Sequence, residues 1–175
     1  MLQHQPRIQP VLSKTDKALE IAGIVLLITM CCFALYAYLQ FPETIPVHFN
    51  AMGKADDYGH KATFFLLPAI SALIYGGLTA LNKHPHVFNY WVTITDENAL
   101  YQYTIATRMI RYIKIIILFI FSVIMILIYL ATTGKESGLS RWFIPASIGL
   151  VLLPLLYAII HRNDKNTKQP KKSGA

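Results

Sequence analysis

The chain has 175 residues, a length suited to one domain. Hydrophobic residues make up 54% and charged residues 14%, with a mean hydropathy of +0.43, whereas soluble domains are about one quarter charged. That deficit excludes an ordinary soluble fold, and the net charge of +7 sits in short flanks of apolar runs, where topology and anionic lipid explain it without a nucleic-acid partner.

Residues 1–14 are polar and irregular and are expected to form a mobile tail. Ser13 or Thr15 can cap the helix that follows, with Asp16 and Glu20 suited to the positive end of its dipole. Four uncharged runs come next: Ile21 to Leu39, Ala62 to Leu81, Ile115 to Leu130 and Phe143 to Ile160. A helix crosses the hydrocarbon core in about 20 residues and satisfies its own backbone there, so each run predicts a spanning helix. The expected spans are 21–40, 62–81, 113–131 and 143–160, within a membrane domain of residues 15–161. The first run exceeds a signal-peptide core and no A-x-A-like site follows it, so it is expected to remain as a span. The fold class is therefore all-α: an integral membrane four-helix bundle with an ordered polar outer loop and a long third helix reaching into the cytoplasm.

Between the first two spans, Pro42 and Pro46 forbid a regular helix. Ile45 to Asn50 reads as a short extended piece, and Gly53 and Gly59 mark turns. Pro68 is expected to kink the second helix, and Gly76-Gly77 to offer a flat face for close helix approach. Val87 to Ile94, aromatic and β-branched, reads as extended. Thr95 can cap a helix running from Asp96 to about Ala131. Its amphipathic first half puts Leu100, Tyr103, Thr107 and Ile110 on one face and Arg108 and Arg111 elsewhere. A short outer turn at 134–140 leads to the last helix, where Pro154 predicts a kink, and residues 162–175 form a basic tail expected to be disordered. Cys31 and Cys32 are adjacent in mid-span and give no disulfide or metal framework.

Basic residues set the orientation. Arg7, Lys14, Lys17, Lys83, Arg108, Arg111, Lys114, Arg162, Lys165, Lys168, Lys171 and Lys172 fall on one side of a four-span topology. Only Lys54, Lys61, Lys135 and Arg141 fall on the other. The positive-inside rule then places both termini in the cytoplasm and the 42–61 loop outside.

That loop holds the densest polar cluster of the chain, H-x-N-x-x-G-x-x-D-D-x-G-H-K. His48, His60, Asp56 and Asp57 are the candidate metal ligands, although the spacing matches neither a zincin nor an EF-hand pattern. Asn50 and Gly53 suit a tight turn. Adjacent carboxylates are not an acid/base pair across a substrate, no nucleophile has an evident base, and no phosphate-binding glycine loop occurs. No catalytic residue and no cofactor are assigned. Three readings stand: a binding or sensing protein, an accessory subunit of a larger membrane complex, and a membrane-embedded enzyme or metal protein with its site in loop 42–61.

The loop also resembles a family signature. P-x-x-I-P-V-H-F-N-x-x-G-x-x-D-x-x-G-x-K, read from Pro42 to Lys61, is similar to that of a bacterial membrane domain of unknown function found in relatives of the Sdp toxin-immunity protein, the SdpI-like proteins. His48, Asn50, Gly53, Asp56, Gly59 and Lys61 fall on it, spacing favouring Asp56 over Asp57. A second stretch, FNYWVTITDENALYQYTIATRMIRYIK, resembles the family's region after the second helix and supplies Asn89, Tyr90, Thr95, Asn98, Tyr103 and Arg108. The resemblance implies a multi-pass protein of the bacterial cytoplasmic membrane. It implies immunity against a secreted peptide toxin, and a cytoplasmic or membrane protein partner such as a repressor held at the bilayer.

Overall fold

The computed structural model describes residues 5–135 and 142–162; the rest of the expected outer turn and the expected basic tail lie outside the described residues. Helix α1 spans Lys14–Gln40. Ser13 caps it in a reciprocal box: Asp16 N donates to Ser13 Oγ at 3.2 Å, and Ser13 N donates to Asp16 Oδ2 at 2.9 Å. Its end is set by Pro42, which forces Phe41 into extended backbone.

The next segment corrects the all-α expectation. Thr44–Phe49 (β1) and Ala55–His60 (β2) pair antiparallel, with Ile45 opposite Gly59 and His48 opposite Asp57. The register shifts on both sides of His48. One turn of 3-10 helix, Lys61–Phe65, leads into α2, Leu66–Leu81. Pro68 stands in the first turn of α2, where a missing N–H costs little, and not at an interior kink.

After α2 the expected extended piece is absent: a 3-10 turn at Pro85–Val87 is followed by irregular backbone to Asn98. Helix α3 spans Ala99–Thr132. Its entry is organised by Asn98 in place of Thr95: Asn98 Oδ1 accepts from Thr95 N at 2.9 Å and Asn98 Nδ2 donates to Thr93 O at 2.9 Å. Helix α4, Phe143–Arg162, contains Pro154.

Two cores hold these pieces. In the first, Met30, Ala34 and Ala37 of α1 and Phe41 just after it meet Phe64, Leu118, Met125 and Ile128. Phe41 and Phe64 pack edge to face at 5.1 Å, and Ile45 of β1, 1% exposed, plugs the same cluster. The second core lies at the other end of the bundle, where Ile94, Ala99 and Tyr103 are buried and Leu100, expected on that face, is exposed. Residues 5–13, expected as free tail, lie against it: Ile8 packs there and Tyr103 Oη donates to Pro6 O at 3.0 Å.

The helix contact also differs from expectation. A Cβ on Gly76 or Gly77 would meet nothing within 4 Å, whereas one on Gly23 would lie 2.5 Å from Tyr75 Cε2. Gly23 is therefore where α1 and α2 approach closely, and Tyr75 is itself tied to Glu20. Gly23→Ala is expected to destabilise the bundle by about 1–3 kcal/mol through overpacking. Gly76→Ala is expected to be neutral or stabilising by up to about 1 kcal/mol. Unfolding of both variants in the same detergent, followed by circular dichroism, measures the difference.

Candidate functional site

The β1–β2 hairpin is built around Asn50. Its Oδ1 accepts from Met52 N at 2.9 Å and Lys54 N at 3.1 Å, and its carbonyl accepts from Gly53 N at 2.8 Å. Gly53 has φ +77°, a left-handed conformation that favours glycine. Gly59 leaves room for its cross-strand neighbour, since a Cβ there would sit 3.0 Å from Val47 Cγ1. Asn50, Gly53 and Gly59 thus shape the hairpin.

The charged residues divide into two groups. At the base, Glu43 reaches both Lys61, at 3.0 Å, and His60 Nε2, at 3.2 Å. His60 Nδ1 accepts from Ala62 N and caps the 3-10 turn, while Lys61 Nζ stands 4.9 Å over the Tyr38 ring. The hydrogen bond and charge of Lys61 hold the Glu43 carboxyl below the usual carboxylate range. Further out, His48 Nδ1 lies 2.6 Å from Asp56 Oδ1, with the ring N–H donating because a carboxylate only accepts. Asp57 Oδ1 accepts from the backbone N–H of Tyr58. The four candidate metal ligands are therefore split: His48 pairs with Asp56, and His60 turns to Glu43. Among the described residues no three or more His, Cys, Asp or Glu converge where an ion could sit. Cys31 and Cys32 are free and exposed.

The second stretch surrounds the other core. Tyr90 donates to Pro85 O at 2.9 Å and packs on Tyr103, ring centroids 5.5 Å apart. Burial first, and the Tyr103 phenol second, push the Tyr90 hydroxyl above its usual range. Asn98 and Thr95 shape the entry to α3, and Asn89 is exposed. Arg108 is the one charged member, and it joins a cluster that sequence patterning missed.

In that cluster, Arg108 grips Asp16 with Nε at 2.9 Å and Nη2 at 3.1 Å. Arg111 Nε lies 3.1 Å from Glu20 Oε1, and Lys114 Nζ lies 2.7 Å from Glu20 Oε2. Lys114 also donates to Thr79 Oγ1 at 2.8 Å and stands 4.3 Å over the Tyr75 ring. Asp16, Arg111 and Lys114 are buried. The signal was available: acidic residues four apart on α1 face basic residues three apart on α3, and each spacing keeps its set on one helix face.

Three of these helices, Lys14–Gln40, Lys61–Leu81 with its 3-10 turn and Ala99–Thr132, are long and apolar enough to cross a membrane. A shorter apolar helix, Phe143–Leu156, follows. Ile21, Val25, Ile28, Leu35 and Leu73 are exposed on their outer faces, an apolar surface that lipid covers and water would not. The class is thus a helical membrane protein with a small β-hairpin between its first two helices.

Within that class, residues 25–72 match the model of the family described as "Domain of unknown function (DUF1648)". The match runs from within α1 through the whole hairpin into α2 and ends before the second stretch. An "Uncharacterized protein" of Archaeoglobus fulgidus is 33% identical over 86 residues, 45% of this chain and 47% of that protein. The chain thus aligns with about half the length of this curated relative. No solved structure matches the chain.

Two outcomes follow from the geometry. Glu20→Ala strands the buried Lys114 ammonium and is expected to cost about 3–5 kcal/mol, part of which the double change Glu20→Ala with Lys114→Met restores; unfolding in detergent reads both. In a carboxyl NMR titration, Glu43 is expected to titrate below a free glutamate and to rise toward it in Lys61→Ala. Because its folded value is depressed, its contribution is present above the unfolded value and is lost as pH falls through the folded one.

Proposed function

We propose that this is a small four-span protein of the bacterial cytoplasmic membrane, with both termini in the cytoplasm, that binds an extracytoplasmic peptide through the β1–β2 hairpin. The reading extends to an SdpI-like role in immunity or signalling. The orientation is supported by the concentration of Lys and Arg on one side of the spans. The observation that carries the binding reading is the division of labour within the hairpin. Ile45 and the Lys61–Tyr38 contact plant its base on the bundle and the Glu43–Lys61 pair joins its two ends, while His48 and Asp56 hold each other on the exposed outer part, with side chains 66% and 42% accessible. Asp57 is exposed beside them. Polar side chains presented by a rigid base suit recognition, because little ordering entropy is lost when a partner binds. A peptide rich in backbone amides and cationic side chains matches the acceptors offered by Asp56 and Asp57.

In a strain lacking the gene, sensitivity to secreted envelope-active peptides is expected to rise, and the intact gene is expected to restore protection. His48→Ala and Asp56→Ala should each weaken peptide binding by about 1–2 kcal/mol and reduce protection, at unchanged membrane levels. A deletion strain as resistant as its parent, across a panel of such peptides, would sink the immunity reading.

A further inference from the structure

At the end of the bundle away from the hairpin, the C-terminus of α2, residues 87–92 and one side of α3 enclose an open cavity of about 470 Å³. Small-molecule sites run from about 300 to 1,000 Å³, so it is large enough for a ligand. Leu81, Phe88, Ile105, Met109, Ile110 and Leu155 make its walls apolar. Asn89 and Gln102 are its lining amides among the described residues. The Tyr90 hydroxyl, also at the wall, is already committed to Pro85 O.

Two observations identify the occupant. The first is depth. Helix α3 has 34 residues, about 50 Å at 1.5 Å per residue, against a hydrocarbon core of about 30 Å. The cavity is lined by the first third of α3 and by the last residue of α2, which places it at the bilayer interface. The second is charge. Lys83, His84 and His86 follow closely on the wall residue Leu81, with Lys83 and His84 exposed, while the carboxylates of this connection, Asp96 and Glu97, come four and five residues beyond the wall residue Val92.

We propose that this cavity binds an acyl chain of an anionic lipid drawn from the surrounding bilayer. The apolar walls take the chain, Asn89 and Gln102 meet the ester region, and Lys83, with the histidines beside it, meets the headgroup phosphate. The site is independent of the hairpin and of any peptide bound there.

Trp91 lines the cavity, and the chain has two tryptophans, so Trp142→Phe leaves Trp91 as the sole indole reporter. The protein is reconstituted in phosphatidylcholine vesicles doped with phosphatidylglycerol carrying brominated acyl chains. Quenching of Trp91 is expected to saturate at low mole fraction, whereas brominated phosphatidylcholine quenches only in proportion to its amount. Ala106→Phe, which fills the cavity, is expected to abolish the saturating component. Lys83→Glu, an exposed change, is expected to abolish the preference for the anionic headgroup even if the filled variant does not fold. Proportional quenching by both lipids in the otherwise unaltered protein overturns the proposal, as does saturating quenching that Lys83→Glu leaves unchanged. A shift of Trp91 emission on removal of residues 1–4 or of residues 163–175, with quenching by bromolipid then gained, assigns the cavity to the chain itself and likewise overturns it.

Discussion

Asp16 and Glu20 lie on the same helix face, and α1 can bury that face only because α3 brings Arg108, Arg111 and Lys114 against it. Ions leaving water lose solvation worth several kcal/mol each, and only close partners with further hydrogen bonds offset that loss. The further bonds are present: Ser13 supports Asp16, and Tyr75 and Thr79 of α2 support Glu20 and Lys114. The cluster therefore fixes more than one pair. Gly23 admits the Tyr75 ring, that ring reaches Glu20, and Glu20 in turn reaches α3, so the mutual register of three helices passes through one carboxylate.

The two ends of the bundle solve different problems. At the hairpin end, apolar packing dominates: Phe41, Phe64 and Ile45 close the core, and the polar groups stand outside it, Glu43, His60 and Lys61 at the base of the ribbon and His48 and Asp56 further out. An isolated two-stranded ribbon is marginal in water, so its attachment through Ile45 and the Lys61–Tyr38 contact gives it a defined shape. At the other end, charge pairing, stacked tyrosines and the N-terminal stretch carry the organisation, and an apolar cavity opens beside them.

The helices were legible because length and absence of charge are one-dimensional signals, and Ser13 and Pro42 bracket α1 within a residue. Turn chemistry was legible at Asn50 and Gly53 for the same reason: the left-handed residue and the amide that caps the turn lie three residues apart in sequence. The strand pairing was missed because ADDYGH has neither the alternation nor the β-branched content of a strand; its partner and the bulges beside His48 make it one. The Gly76-Gly77 pair misled because small residues permit close approach without requiring it, and the helix that comes near chose Gly23. The charge cluster was hidden because its members lie about 90 residues apart and each had a sufficient local explanation, as helix-end or topology charges.

The distance in sequence between these charges has a consequence for biogenesis. Synthesis delivers α1, with Asp16 and Glu20, well before Arg108, Arg111 and Lys114 exist. During that interval the two carboxylates have no cation of the later helix to meet, so water must solvate them and α1 is held with its leading turns at the membrane surface. Arrival of α3 releases that constraint. The ion pairs that tie α1 to α3 are therefore completed only once the third helix has been made.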